Sequence, residues 1–422
     1  MHSLWAYFLW PWITLAAALP APSPVTINGN EISQSLFESL EELARIVDIS
    51  YCVGTSGIRK PFNCLSRCSD FEGFELVTTW NTGPLLSDSS GYIALSHAPF
   101  EKRVIVAFRG TYSIANTIAD LSTNPAEYAP FPSDSNNDSV CMSVVEGAGK
   151  LDGGHGYQNT KELLLPQLLQ QQRNKEKRTV LEPPECPNCT VHSGFMTSWR
   201  NTRCIVIPHV ETALRDYPGY KLVLVGHSLG GAVAALASLE MQARGWDPYV
   251  TTFGEPRIGN QALNRFIDKR FNLDSTKPEG LKYRRVTHID DPVPLLPLEE
   301  WGYKMHAGEI FISKPSLPPA RADVRHCTGD EDPLCINDAP DAAPKHLVDM
   351  DDTDANDESA PSGVKQMWEL SRRYKLWELF FAHRDYFWRL GLCVPGGDPW
   401  DWSRGKYNVT EKEVENAMLD EL

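Results

Sequence analysis

Past residue 21 the chain has no apolar run of the about 20 residues needed to cross a bilayer, so a polytopic membrane protein is excluded. It also lacks a basic excess. Lys and Arg number 40 against 55 Asp and Glu, a formal net charge of −15. Without clustered cations, nucleic-acid binding loses its main attraction, and no nucleic-acid partner is expected. Internal repeats are absent, and 42% hydrophobic with 23% charged residues is ordinary globular composition. A chain of 422 residues can bury a large core, and α/β enzymes of that size fold as one unit.

The N terminus has no Lys or Arg ahead of its apolar stretch, residues 4–19. Small residues follow at 16–18 and at Ala21. This reads as a secretory signal over residues 1–21, cut between Ala18 and Ala21. Trp5, Trp10, Trp12 and Pro11 leave an uncleaved anchor as the alternative. Ten cysteines in such a chain imply disulfides. Cys64 and Cys68, and Cys186 and Cys189, are closely spaced; zinc would need two close pairs with histidine support in a compartment that oxidises thiols, so no metal is expected. Three Asn-x-Ser/Thr sites, at Asn137, Asn188 and Asn408, are glycosylation candidates.

Residues 32–49 carry apolar side chains at Leu36, Phe37, Leu40, Leu43, Ala44 and Val47, a helical stripe. Short β-rich runs follow at 92–95, 103–108, 221–225, 249–253, 283–287 and 309–312, with helical patterns at 232–244 and 260–271. Several are continuous Val/Ile/Leu runs, as in strands buried on both faces. The alternation predicts an α/β fold with a largely parallel sheet. Residues 124–185 break the rhythm and contain a leucine cluster at 163–178 that reads as a surface helix, with a membrane-facing amphipathic helix as the sharper alternative. Residues 314–362, rich in Pro and Asp, are expected to form a solvated loop.

Gly226-His227-Ser228-Leu229-Gly230 is a G-x-S-x-G pattern between a buried strand and a helix rich in Ala. The nucleophile turn of a serine hydrolase has this context. A serine hydroxyl needs a base to take its proton. His306, His326, His346 and His383 all follow in the chain, and periodicity does not choose among them. His326 and His346 fall in the Asp/Pro-rich segment, a poor place to hold an imidazole rigidly. The supporting acid is expected at Asp290 or Asp291, just after the strand at 283–287.

Read together, these motifs resemble the secreted fungal class 3 lipases, a family with an α/β-hydrolase fold that includes feruloyl esterases. Phe108-Arg109-Gly110-Thr111, residues 113–121, His192-Ser193-Gly194-Phe195, the Ser228 motif, residues 253–260 and residues 287–297 occur in the family's order. The resemblance implies a mostly parallel sheet flanked by helices, in a single domain over 22–422 with a lid helix, insertions at about 124–185 and 314–362, and an extension at 394–422. It implies that Asp291 is the acid, because the family's acid precedes x-Val-Pro, and that His383 is the base, because of its His-x-x-Tyr-Phe setting. Thr111 and Leu229 are then the oxyanion-hole residues. Ile114, Ile118 and Leu121, at i, i+4 and i+7, form the apolar face of the lid. Cys52 pairs with Cys393, Cys64 with Cys68 and Cys186 with Cys189. Cys141, Cys204, Cys327 and Cys335 have no family role, although Cys327 and Cys335 are close enough to pair.

The implied activity is hydrolysis of triacylglycerol or other acylglycerols at a lipid–water interface through an acyl-enzyme, with no cofactor and with peripheral contact to a membrane or lipid droplet. An esterase for small or aromatic esters and an inactive lipid-binding protein are the competing readings; Thr117, where many relatives have Trp, bears on the first. Secretion is expected. The final Asp420-Glu421-Leu422 makes retention in the endoplasmic reticulum lumen the alternative.

Overall fold

A computed structural model describes residues 30–83, 88–111, 125–131, 185–273, 277–338 and 382–401. The signal segment, the lid residues Ile114, Ile118 and Leu121, the sequons at Asn137 and Asn408, Cys141, His346, the cluster at 163–178 and the final four residues lie outside the described residues.

Helix α1 (Gln34–Ile49) opens the fold. Ser33 caps it, its Oγ accepting from Leu36 N at 3.2 Å. The expected stripe is its buried face, and each Leu or Phe so buried contributes roughly 1.5–3 kcal/mol. Strands β1 (Ile58–Arg59) and β2 (Asn63–Cys64) make a small antiparallel ribbon. The main sheet begins with β3 (Phe74–Asn81), β4 (Ser90–Ser96) and β5 (Arg103–Arg109). Strands β6 (Pro125–Glu127) and β7 (Thr190–His192) pair with each other and lead into α2 (Ser193–Asp216). Then come β8 (Lys221–His227), α3 (Leu229–Ala243), β9 (Tyr249–Phe253) and α4 (Gln261–Phe271). Strands β10 (Tyr283–His288), β11 (Glu309–Ile312) and β12 (Val324–His326) complete the sheet.

The eight-stranded sheet runs in the order β12-β11-β10-β9-β8-β5-β4-β3. Its centre, β5 through β11, is parallel, and both margins are antiparallel. One apolar layer packs α2, α3 and α4 against the sheet; the other packs α1 with the 386–390 segment on the opposite face. No described helix is long and apolar enough to cross a membrane.

Two expectations about the irregular segments need correction. Residues 125–131 belong to the fold rather than to an insertion: β6 pairs with β7, and Tyr128 and Phe131 are core residues. Residues 321–338 are folded as well. His326 is not in a solvated loop but on β12, buried and paired opposite Ile310. Alternation in β12 is too short to detect in sequence, and a disulfide between Cys327 and Cys335 fastens the turn after it. The other bridges are Cys52–Cys393, Cys64–Cys68 and Cys186–Cys189. Cys204 is also disulfide-bonded.

Candidate active site

Ser228 stands between β8 and α3 at φ 59° and ψ −131°, a strained backbone for a residue with a Cβ. Its N–H donates to Phe253 O at 2.9 Å, and its carbonyl accepts from Gly231 N at 2.8 Å. These bonds hold the turn against β9 below and the first turn of α3 ahead. The close crossing of α3 over β5 depends on Gly230, where a Cβ would lie 2.4 Å from Phe108 O. Leu229 is the first residue of α3, where backbone amides point outward and the helix dipole favours negative charge.

Asp291 follows β10 and is completely buried, whereas Asp290 is exposed. Its Oδ1 accepts from Val293 N at 2.9 Å, closing the turn that Pro292 stiffens. His383 Nδ1 lies 2.8 and 2.9 Å from the two carboxylate oxygens. Tyr386 Oη donates to Asp291 Oδ2. Burial pushes the Asp291 carboxyl upward, but the His383 charge and the bonds from His383, Tyr386 and Val293 outweigh it and leave the group below its ordinary range.

The other face of the His383 ring stacks on His227, with centroids 4.7 Å apart. His227 Nε2 lies 2.8 Å from His383 O, and Tyr51 Oη bonds His227 Nδ1. Burial, with the neighbouring His383 charge, lowers His227 to about 3, so it stays neutral. His383 Nε2 is buried and has no hydrogen-bond partner among the described residues. Gly254, next to the Phe253 carbonyl that holds Ser228, places a built Cβ 2.7 Å from His383 Cε1 and 2.9 Å from Asp291 Oδ2. The joined His383 and Asp291 thus lie against Gly254, the residue after the Phe253 carbonyl that accepts from Ser228 N, at the C-terminal ends of β9 and β10.

The loop after β5 reaches the same place. A Cβ on Gly110 would lie 2.8 Å from Ser228 Cβ and 2.9 Å from His227 O. Thr111, half-buried, is the next residue. Of the other histidines considered, His306 is engaged elsewhere, its Nε2 3.2 Å from Glu255 Oε1 and its Nδ1 2.8 Å from Ala307 O. His326 sits on the far margin of the sheet. Among the described residues, Glu309, Cys327 and Cys335 bring potential metal-binding atoms together, but the two sulfurs are joined to each other, which leaves no thiolate. Asn188 is exposed in the turn closed by Cys186 and Cys189.

Tyr51, Tyr386 and the contacts of His227 carry no signal in the sequence that marks them as parts of this site. Tyr386 was visible only within the His-x-x-Tyr-Phe pattern. Tyr51 had no signal beyond its place after an amphipathic helix.

Residues 105–301 match the family model described as lipase (class 3). Over 418 residues the chain is 48% identical to the secreted mono- and diacylglycerol lipase 2 of Gibberella zeae, covering 94% of this chain and 91% of that protein. It is 45% identical over 431 residues to lipase A of Sodiomyces alcalophilus, covering 96% of this chain and 93% of that one. Among solved structures, the Lip2 lipase of Yarrowia lipolytica is similar at 26% identity with a TM-score of 0.62, over 86% of this chain and 97% of that one.

Proposed function

Because the chain belongs to the class 3 lipase family, and so is a carboxylic ester hydrolase of acylglycerols with an α/β-hydrolase fold, we propose that it cleaves mono- and diacylglycerols through Ser228, His383 and Asp291. The observation that carries the catalytic reading is the buried His383–Asp291 pair, whose ring stacks on His227, the residue before the strained Ser228 turn. The partial-acylglycerol preference rests on the name of the relative at 48% identity.

In this reading Ser228 Oγ attacks the ester carbonyl while His383 Nε2 takes its proton. Asp291 holds Nδ1–H, which fixes the tautomer and offsets the imidazolium charge. Backbone N–H groups of Thr111 and Leu229 meet the oxyanion, each worth roughly 3 kcal/mol in the transition state. His383 then protonates the departing glycerol oxygen. Water, deprotonated by the same Nε2, attacks the acyl carbon, and His383 returns that proton to Ser228 Oγ as the fatty acid leaves.

Ser228→Ala and His383→Ala should each abolish hydrolysis with the fold intact. A folded His383→Ala variant that turns over substrate would sink the assignment. A panel of mono-, di- and triacylglycerol, nitrophenyl esters and methyl ferulate tests the substrate; preference for methyl ferulate would favour the esterase reading. The lid face of Ile114, Ile118 and Leu121 implies a rate jump as a short-chain acylglycerol passes its solubility limit, and a smooth hyperbola would count against a lid. Relatives named as secreted support export to the medium. Accumulation in the endoplasmic reticulum that is lost on deleting Leu422 would favour retention instead.

A further inference from the structure

We propose that Tyr51 is a positioning residue for ester cleavage: its hydroxyl, set between the Gly110 amide and the His227 ring, locks the loop that carries Thr111 to the backbone that carries His383. This rests on the reading of Ser228, His383 and Asp291 given above.

Tyr51 lies just past α1 in a one-turn 3₁₀ helix, Ser50–Cys52, and is 2% exposed. The Gly110 N–H donates to its Oη. On the other side Oη meets His227 Nδ1. The proton positions follow from the chemistry of the partners. His383 O can only accept, so His227 Nε2 carries the ring proton in the 2.8 Å contact between them. A neutral imidazole has one N–H, so Nδ1 is the acceptor, and the proton shared with Tyr51 comes from the phenol. The chain is therefore directional: Gly110 N–H to Tyr51 Oη, Tyr51 O–H to His227 Nδ1, His227 Nε2–H to His383 O.

Each end of the chain has consequences for the reaction. Gly110 has no side chain to fix its backbone, and Thr111 N belongs to the next peptide unit. A Cβ built on Gly110 would lie 2.5 Å from Tyr51 Oη and 2.8 Å from Ser228 Cβ, so the loop passes closely between the hydroxyl and the Ser228 side chain. At the other end, the bond to His383 O sets the height of that residue's backbone, while stacking on His227 sets its ring plane. The neighbouring residue Cys52 is bonded to Cys393, ten positions past the base. The Tyr51 proton is engaged on His227, and burial pushes the hydroxyl above the ordinary phenol range, so it acts through position rather than by proton transfer.

Tyr51→Phe keeps the ring and removes only the hydroxyl. The readout is kcat and KM on a soluble nitrophenyl butyrate, with the number of working sites counted by titration with an alkyl phosphonate. The expected result is a fall in kcat per titrated site of about 10–100-fold with KM within twofold, because sub-ångström misplacement of reacting groups costs rates of this order. His227→Gln, whose amide nitrogen reproduces Nε2 and can still donate to His383 O, should lose less than His227→Leu. Unchanged kcat per titrated site, with or without a smaller active fraction, would overturn the proposal, since a merely structural role moves only that fraction. If Tyr51→Phe yields no folded protein, the order of the two His227 variants decides: equal losses refute the relay. Failure of the phosphonate to label Ser228 would instead refute the nucleophile assignment.

Discussion

Gly254 is the residue at which a single methyl group should separate catalysis from folding. It follows β9 at φ +60°, and a Cβ built there would meet Tyr386 Oη at 2.5 Å, His383 Cε1 at 2.7 Å and Asp291 Oδ2 at 2.9 Å. Ordinary contact starts at 3.4 Å, so in Gly254→Ala the imidazole must retreat by about 0.7 Å or tilt away from Asp291. Displacement of a reacting group by about 1 Å costs on the order of 10²-fold in rate, which places the expected loss in kcat/KM at about 10–100-fold. The positive φ adds strain of roughly 1–2 kcal/mol, which lowers stability without touching the chemistry. Gly219→Ala isolates that second effect: φ is +90° there, and nothing lies within 4 Å of the added methyl. Urea unfolding and nitrophenyl butyrate kinetics should show a loss of stability in both variants, larger in Gly254→Ala by the overpacking it adds, and loss of activity only in Gly254→Ala. Activity of Gly254→Ala within threefold of the parent, in a folded protein, would refute the argument.

Two further predictions concern the anchoring of the segment that carries the base. Burial raises Asp48 to about 6 despite the Arg67 charge and the Gly391 N–H, so its ionised form costs stability above that pH and the cost disappears as the pH falls toward the unfolded value near 4. The parent should therefore gain on Asp48→Asn by up to about 3 kcal/mol between pH 7.5 and 4 in urea titrations; a loss over that interval would mean that the carboxylate is held in its charged state. Replacing Cys52 and Cys393 by Ser opens a loop of sequence separation 341 and should cost about 2–5 kcal/mol and reduce activity, while opening Cys64–Cys68, at separation 4, should cost about 2 kcal/mol or less and leave activity unchanged; equal effects on kcat would refute the link between that bridge and the base.

The centre of the sheet was legible because β5 and β8 are near-continuous runs of Val, Ile, Leu and Ala with both faces covered, which pattern detects without knowing their neighbours. Edge strand β3 alternates buried and exposed residues only in part, and α2 carries Pro208 within it, so neither announced itself. What holds α2 in place is a tertiary interaction. Trp199 and Arg203 reach Glu240 on α3, a fully buried carboxylate that accepts from both, at separations of 41 and 37 residues. The serine turn was readable as a local motif. The acid was readable only to within a pair, and the pair differs in burial rather than in chemistry: Asp291 is inside and Asp290 outside.

The proposed base, His383, was the least readable member for a physical reason. Ser228 and Asp291 are delivered by strand ends, where the sheet's hydrogen bonds set position to within a residue. His383 is delivered by a segment that joins no named strand, and its support is assembled from pairwise contacts across almost the whole chain. Asp48 accepts from Gly391 N at 2.8 Å, Arg67 pairs with Asp401 at 2.9 Å, and Arg384 pairs with Asp398 at 2.6 Å. Arg389 holds Asp385 with two bonds of 2.6 Å, and Cys393 is bonded to Cys52. Three of these five links join residues 48–67 to residues 391–401, and no pattern in either segment reveals the other. Buried ion pairs contribute little net stability but are costly to break on one side only. A substitution in α1, far from the serine in sequence, therefore reaches the chemistry through the position of His383, and a mutation that neutralises Arg67 alone should be worse for the protein than one that removes Arg67 and Asp401 together.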